Sequence, residues 1–379
     1  MSEKTQQPLI LFNSSPWHTL GVEIELPLVD AKTMALRSAI YDVLPHIPDN
    51  MQEAIKPELM QSYIEINSGV CETVAEAGED IRAKLRILKS ATEEQGLELA
   101  WTSTHAFSGW RDQIVTRKER YTNLVDLLQD TARQIVTFGL HVHVGVDSGD
   151  KAVMICDRLL RYLPVLLAIS CNSPFWEGRD TGLSSWRTKI MNGLPTAGLP
   201  PLMRNWSEYV WLVNHLVETG YIDSMREIWW DMRPHHRFGT VEIRICDLPG
   251  CLDDALALAA FIQCLVKGLS DQIDQGTYQH DCHPMLIRQN KWRASRYGLE
   301  AQLVNSTTHD LQPVRQTITD LIDLLQPEAD ELQCADYLEH LRKIIAQPNW
   351  SQRQLQVLEK TGDHADVVRF TVNSAQQCM

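Results

Sequence analysis

Four short segments of alternating residues constrain the fold of this chain more than any other feature of its sequence. In each segment apolar residues alternate with acids, histidine or arginine. The polar members are Glu23 and Glu25 in residues 20–26, Glu65 in 63–67, His141 and His143 in 140–146, and Glu242 and Arg244 in 240–246. Because side chains alternate between the two faces of a strand, each segment predicts a β-strand with one apolar face and one polar face.

The polar faces of these strands have two interpretations. An ordinary antiparallel sheet turns one face to the core and the other to water. Solvated faces favour Thr, Ser, Lys and Gln, whereas these segments use Glu, His and Arg. If helices cover both faces, enclosed carboxylates need cations between them. Several carboxylates with one imidazole suit a hard divalent ion such as Mg²⁺, but spacing alone leaves the solvated face and the metal site as equal alternatives.

A magnesium site would indicate phosphoryl transfer, because Mg²⁺ in proteins usually bridges carboxylates to substrate phosphates. Arg244, close to Glu242 in the same segment, would neutralise the transferred phosphate. The chain has no G-x-x-x-x-G-K-[ST] and no G-x-G-x-x-G motif, which argues against a P-loop and a Rossmann fold. A formal net charge of −14 argues against a nucleic acid or an anionic membrane as partner.

Helical periodicity predicts eight helices outside the four strand segments. We expect one catalytic domain over residues 1–379, with a mostly helical portion at 300–379, because no repeat or linker divides the sequence. The predicted helices are residues 75–95, 119–138, 151–170, 206–219, 253–275, 314–325, 329–346 and 351–360, with Gly96, Gly139 and Gly220 as C-terminal caps. The N-terminal residues lack a signal-peptide pattern and the nine cysteines form no C-x-x-C pair, so we expect a cytoplasmic protein.

Six stretches in a fixed order, four of them containing the predicted strands, resemble a known family. They are TLGVEIELPLVD (19–30), PELMQSYIEINSGVC (57–71), GLHVHVGV (139–146), NSPFWEGRDTGLSSWR (172–187), RFGTVEIRICDLP (237–249) and WRASRYGLE (292–300). The sequence resembles the glutamate-cysteine ligase type 2 family, and within it the YbdK-like carboxylate-amine ligases. One departure is STHAF at residues 103–107, where family members commonly have GTHPF, and this difference leaves the amine specificity open.

The resemblance implies both a fold and a reaction. The fold is α+β, similar to the catalytic domain of glutamine synthetase, with a curved, mainly antiparallel sheet wrapped by helices. The implied enzyme is an ATP- and Mg²⁺-dependent carbon–nitrogen ligase that phosphorylates the side-chain carboxylate of glutamate and joins it to cysteine or another amine. A homodimer is also an expectation from the family.

The resemblance also implies roles for individual residues. The implied metal ligands are Glu23, Glu25, Glu58, Glu65, His141 and Glu242, and the residues expected to be catalytic are Glu242 and Arg244. The implied contacts to nucleotide, phosphate or a substrate carboxylate are His143, Arg187, Arg233 and Arg244. Glu58 lies an odd number of residues before Glu65, so a turn or bulge must separate them if both face the site.

Two other functions stay open at this stage. A nucleotide- and metal-binding sensor would keep the same ligands without turnover. A guanidino-type phosphotransferase shares a comparable sheet, although its reactive-cysteine motif is not evident. Two further residue pairs carry weaker signals: His235 and His236 follow Pro234 in a stretch typical of an exposed loop, and Trp229 and Trp230 favour the core or a cleft wall.

Overall fold

An antiparallel sheet lies at the centre of the computed structural model, which describes residues 10–277 and 282–376. The strands are β1 Leu20–Asp30, β2 Ile55–Pro57, β3 Tyr63–Asn67, β4 Leu97–Leu99, β5 Leu140–Gly145, β6 Phe175–Trp176, β7 Arg179–Asp180, β8 Met232–His235, β9 Thr240–Ile243, β10 Gln302–Val304 and β11 Leu311–Pro313. The main sheet has the order β2-β3-β1-β5-β9-β8, and β4 pairs with the end of β1. All of these neighbours are antiparallel.

Helices surround this sheet. They are α1 Ile40–Val43, α2 Val74–Glu93, α3 Glu119–Leu128, α4 Asp130–Arg133, α5 Gly149–Leu159, α6 Leu163–Ser170, α7 Arg187–Met191, α8 Trp206–Glu218, α9 Leu252–Asp274, α10 Pro284–Tyr297, α11 Val314–Leu324, α12 Gln326–Glu331, α13 Ala335–Ile345, α14 Trp350–Thr361 and α15 His364–Gln376. Helices α2, α5 and α9 pack against the main sheet. In the described part of the chain, none of the helices combines the length and the apolar character needed to cross a membrane.

The apolar residues of the alternating segments form the face of the sheet that packs on these helices. Val22 and Ile24 of β1, Val142 of β5 and Ile243 of β9 are at most 1% exposed. They belong to one core cluster with apolar residues of α2 and α9. Burying each such side chain stabilises the fold by about 1.5–3 kcal/mol. The predicted alternation is therefore confirmed, and the polar residues lie on the opposite face.

Three predicted helices, 119–138, 151–170 and 329–346, are each interrupted in the structure. Within 151–170 the chain turns after α5 and resumes as α6 with Pro164 in its first turn, because proline fits a first turn but not a helix interior. The other two are broken at Gln129 and Gln333, whose φ angles are 51° and 55°. Helices α10 and α15 are absent from the sequence-based prediction.

Gly139 is not a helix cap as predicted. It precedes β5 and forms an isolated bridge with Asp247. A Cβ atom at this position would lie 2.3 Å from Nη2 of Arg187, so a glycine is needed for the arginine side chain to approach the backbone. By contrast, Gly96 and Gly220 follow the ends of α2 and α8 with positive φ, as predicted.

Candidate active site

The strand register places the polar residues of neighbouring strands side by side. The directly opposed pairs are Glu23–His141, Glu25–Glu65, His143–Glu242 and Arg233–Glu242. Opposed residues in an antiparallel pair have Cβ atoms about 5 Å apart, so this polar face is continuous across β3, β1, β5, β9 and β8. It forms the floor of a cleft of about 1000 Å³, and all six predicted metal ligands line that cleft.

Three of these ligands, Glu23, His141 and Glu242, form what we call the histidine triad. Each offers one ligand atom, and the three atoms lie within 4.8 Å of one another. Burial lowers the pKa of His141 to about 4, so its imidazole is neutral at pH 7. Burial alone would raise the pKa of Glu23, but hydrogen bonding to His141 and His143 holds it well below its usual value. A neutral imidazole and an ionised carboxylate are the forms that bind metals.

The other three, Glu25, Glu58 and Glu65, form the acidic triad, whose ligand atoms also lie within 4.8 Å of one another. Burial, followed by the charges of Glu65 and Glu25, raises the pKa of Glu58 well above its usual value. The turn that the sequence required between Glu58 and Glu65 is present, because Glu58 follows β2 and Glu65 lies on β3 of the same hairpin. This arrangement crowds negative charge that only a cation or a proton can relieve.

Lys56 is a member of this site that the sequence did not reveal. It lies opposite Glu65 in the β2–β3 hairpin, and its Nζ is 2.8 Å from Glu65 Oε1. Burial opposes its charge, but the neighbouring Glu65 raises the pKa of Lys56, so it remains a cation. Lys56 is two residues before Glu58 and thus on the same strand face, which would have identified it had β2 been predicted.

His143 lies between the histidine triad and the β8–β9 hairpin. Its Nε2 is 3.4 Å from Glu23 Oε1, and its Nδ1 is 3.0 Å from Thr240 Oγ1. The ring of His235 contacts it edge-on, with centroids 5.5 Å apart. His235 is the last residue of β8, and both it and His236 are partly buried and line the cleft, which corrects the assignment of this pair to an exposed loop.

Two arginines hold Glu242 in place. Arg233 donates from Nε to Glu242 Oε2 at 2.7 Å, and Nη1 of Arg244 donates to Glu242 Oε1. Burial would raise the pKa of Glu242, but the two guanidinium groups lower it well below its usual value. Arg233 also donates from Nη1 to the carbonyls of Met225 and Ile228, so protein groups already engage most of its donors. Arg244, just beyond β9, has only Nη1 engaged among the described residues, and it lines the cleft.

Arg187 lies apart from Arg233, although the sequence grouped the two arginines, and it contacts the backbone of Arg244 from a neighbouring cavity. It begins α7 and is 4% exposed. Its Nη2 and Nη1 donate to the carbonyls of Arg244 and Ile245, at 3.2 and 3.3 Å. Arg187 does not line the main cleft but a smaller neighbouring cavity.

The cleft walls contain further residues that strand periodicity could not indicate. They include Ile10, Leu11, Lys118, Arg120, Tyr121, Val213, Val217, Arg226, Trp229, Arg237 and Phe238. Most lie on helices or in loops, where no two-residue period marks the side that faces the site. Trp229 is a cleft wall and Trp230 is buried in the core, as the sequence favoured for this pair.

Comparison with known proteins identifies the family to which this chain belongs. The sequence profile of glutamate-cysteine ligase family 2 matches residues 19–370. The chain belongs to this family. A relative from Gloeobacter violaceus, named "Putative glutamate--cysteine ligase 2", is 42% identical over 361 residues, which are 95% of this chain and 97% of the relative. A protein of the same name from Thermobifida fusca is 40% identical over 364 residues, 95% of this chain and 91% of its own length.

Solved structures confirm the fold of this family member. A glutamate–cysteine ligase from Francisella tularensis, in complex with AMP, has a TM-score of 0.72 at 12% identity and covers 97% of this chain and 90% of its own. A bifunctional glutathione synthetase from Pasteurella multocida has a TM-score of 0.70 at 14% identity, over 95% of this chain and 52% of its own. The predicted α+β, glutamine synthetase-like fold is thus confirmed.

Membership of the glutamate-cysteine ligase family also settles the class of reaction. The chain is an ATP-dependent carbon–nitrogen ligase that joins a carboxylate to an amine and acts on small molecules.

Proposed function

We propose that the protein joins the γ-carboxylate of glutamate to cysteine or another amine, with ATP and Mg²⁺, by way of γ-glutamyl phosphate. The observation that most supports this proposal is the presence in one cleft of two neighbouring triads of acidic and histidine side chains, each with its ligand atoms close enough together for one metal ion, with Arg244 beside them. Two adjacent cation sites suit a phosphoryl group that passes between two oxygen atoms. The relatives' names support glutamate as the acid.

The donor atoms of the two triads fit Mg²⁺. Five carboxylates and one imidazole provide the oxygen-rich set that a hard divalent cation prefers. The crowding that raises the pKa of Glu58 is the kind that a bound cation relieves. When bound here, such ions would draw negative charge from the nucleotide phosphates and hold the attacking carboxylate in line.

The two ends of the cleft have different chemistry. This difference supports the nucleotide binding at one end and the amino-acid substrates at the other. Arg226, Arg237, His235 and Phe238, with the apolar Val213, line the end near β8, β9 and α8. Cations and an aromatic ring suit a triphosphate and a base. The opposite end, near β2 and β3, carries the acidic triad with Lys56, Arg120 and Tyr121, a mixture of charges that suits the ammonium and carboxylate groups of amino acids.

The chain's own groups would support both steps. In the first step, a γ-carboxylate oxygen of glutamate attacks the γ-phosphorus of ATP, and the bond to the β,γ-bridging oxygen breaks to release ADP. In the second step, the amine nitrogen attacks the acyl carbon, phosphate leaves, and the nitrogen loses a proton to solvent. Arg244 would stabilise negative charge on the transferred phosphoryl group, since only its Nη1 is engaged among the described residues.

ADP release in the presence of ATP, Mg²⁺, glutamate and a panel of amines tests this proposal. We expect release that requires both glutamate and an amine, together with a γ-glutamyl amide detected by mass spectrometry. Glu58→Gln should lose this activity. The exposed Glu359→Gln on α14 makes the same chemical change away from the cleft and should retain it.

Two other outcomes would contradict the proposal. Tight ATP binding without turnover on any amine would indicate a sensor. Phosphorylation of a guanidino compound such as creatine, without release of phosphate, would indicate a phosphotransferase. A cytoplasmic homodimer stays a prediction that gel filtration and cell fractionation can check.

A further inference from the structure

A buried ion pair lies next to the point where β9 ends. Nζ of Lys291, on α10, is 2.6 Å from Oδ2 of Asp231, the residue before β8. The two residues are 6% and 8% exposed, and neither lines the main cleft. Nζ of Lys291 also donates to Oδ1 of Asn192, which follows α7, at 3.0 Å. One lysine therefore joins α10 to the segments before β8 and after α7.

The main chain of Asp231 in turn holds Arg244. Arg244 is the first residue beyond β9, and its N–H donates to the carbonyl of Asp231 at 2.8 Å. The carbonyl of Arg244 accepts a hydrogen bond from Nη2 of Arg187. The N–H of Asp231 donates to the carbonyl of Gly198 at 2.7 Å. The backbone position of Arg244 thus depends on Asp231, whose side chain is fixed by Lys291.

Stability alone does not account for this ion pair. Removing two charges from water opposes folding, and well-packed apolar residues often replace a buried ion pair with no loss of stability. What the pair provides is a fixed arrangement, because the ammonium and the carboxylate must meet at hydrogen-bonding distance. The arrangement fixed here includes the carbonyl that holds Arg244. A displacement of about 1 Å in a group that stabilises a transition state can lower the reaction rate about 100-fold.

We propose that Lys291 is a positioning residue, which acts through Asp231 to set where the guanidinium of Arg244 meets the transferred phosphoryl group. This assignment rests on the proposed function, which gives Arg244 that role. Because Lys291 does not line the cleft, its loss should weaken stabilisation of the transition state more than binding of the substrates. A loss of this kind lowers kcat and leaves KM near its wild-type value.

A double-mutant cycle of Lys291→Met and Arg244→Gln, measured on the full chain in the ligase assay, tests the assignment. Methionine is close to lysine in size and removes the charge. In the wild-type background, Lys291→Met should lower kcat on the order of tenfold or more, with KM for ATP nearly unchanged. In the Arg244→Gln background it should lower kcat little further, because both substitutions remove the same interaction.

Binding of a transition-state mimic repeats the cycle without turnover. Isothermal titration would compare ADP with tetrafluoroaluminate, in the presence of Mg²⁺ and glutamate, against ADP alone. Lys291→Met should weaken binding of the mimic on the order of tenfold and leave binding of ADP unchanged, but only when Arg244 is present. An enzyme that shows this coupling but forms no amide would refute the proposed reaction and leave the positioning role intact.

Further variants separate positioning from folding. Lys291→Met leaves the charge of Asp231 buried and unpaired, which can prevent folding. Its combination with Asp231→Asn removes both charges, so this neutral pair should fold and still show the loss of kcat. Lys267→Met is the matched control, since Lys267 is 5% exposed, pairs with Asp271 and Glu331, and does not line the cleft. It should keep the wild-type kcat.

Three results would overturn the assignment. An equal fall in kcat in both backgrounds would show that Lys291 acts by general destabilisation and not through Arg244. Wild-type kcat in the neutral pair would show that the ion pair is not needed for the position of Arg244. Equal binding of the mimic by the wild type and by Lys291→Met would show that other contacts hold the arginine.

Discussion

Replacing Glu58 by glutamine should stabilise the metal-free protein and weaken its response to Mg²⁺. Glu58 lies in the acidic triad with Glu25 and Glu65, all within 4.8 Å through one oxygen atom each. Two unit charges at that separation repel by about 3.5 kcal/mol at an effective dielectric of 20. Glutamine has nearly the same shape, so it removes the charge and leaves the packing.

The sign of the effect follows from the pKa of Glu58, which burial and the two neighbouring carboxylates raise well above the usual value. An acid whose pKa is higher in the folded than in the unfolded state destabilises the fold at any pH above the unfolded value near 4.5. At pH 8 this effect cannot exceed about 5 kcal/mol, the free energy of protonating an ordinary carboxyl group. Lys56 offsets part of the repulsion, so we expect a gain of about 1–3 kcal/mol.

Thermal denaturation at pH 8, with and without Mg²⁺, measures both effects. For a chain of 379 residues, 1 kcal/mol shifts the melting temperature by about 1 °C. The variant should therefore melt about 1–3 °C above the wild type without Mg²⁺. With Mg²⁺ the order should reverse, because each tenfold loss of metal affinity removes about 1.4 kcal/mol of ligand-induced stability. At pH 4 the metal-free gain should vanish, since the carboxyl is then protonated in both states.

Glu359→Gln serves as the control. Because Glu359 is an exposed residue of α14, this substitution should leave the melting temperature unchanged both with and without Mg²⁺. If Glu58→Gln melts at a lower temperature than the wild type without Mg²⁺, neighbouring protein groups already stabilise the charge of the Glu58 carboxylate. An equal rise with Mg²⁺ in both proteins would show that Glu58 binds no cation. Either result would refute the acidic triad as a metal site.

Three further substitutions test other contacts. Glu242→Gln should lower the free energy of unfolding, measured in urea, by about 3–5 kcal/mol even without metal, because the buried Arg233 and the partly buried Arg244 lose their anion; wild-type stability would contradict the pairing. Gly139→Ala should lower it by about 1–3 kcal/mol, because its Cβ would overlap the guanidinium of Arg187, and an unchanged urea midpoint would show that the backbone can move away. His340→Gln should lower the free energy of unfolding below pH 6.5, and the difference from the wild type should shrink as the pH rises, because the hydrogen bond to Asp254 raises the pKa of His340. A difference from the wild type that grows towards pH 9 would contradict this.

The sequence could predict the floor of the site because strand periodicity is a local property. Glu23, Glu25, His141 and Glu242 each alternate with apolar residues, so their face of the sheet follows from neighbours two residues away. The family motifs then added Glu58. Strand alternation could not place this residue, because a turn separates it from Glu65. These predictions needed no knowledge of how distant segments meet.

Features set by tertiary packing could not be predicted in this way. The three residues of β2 are too few to show a period, so Lys56 was missed. The separation of Arg187 from Arg233 depends on where α7 approaches Gly139, and nothing in the local sequence around these arginines encodes it. The break before Pro164, in contrast, was available from the sequence, because a proline interrupts a helix interior.

Transfer of ¹⁸O from glutamate to phosphate can test whether the cleft activates a carboxylate by phosphorylation. Glutamate labelled with ¹⁸O in its γ-carboxylate would be incubated with ATP, Mg²⁺ and the best amine of the panel, and the released phosphate analysed by mass spectrometry. If γ-glutamyl phosphate forms, each phosphate released with an amide carries one labelled oxygen, because the acyl–oxygen bond breaks in the second step. Phosphate free of the label, released together with the amide, would contradict the proposed reaction.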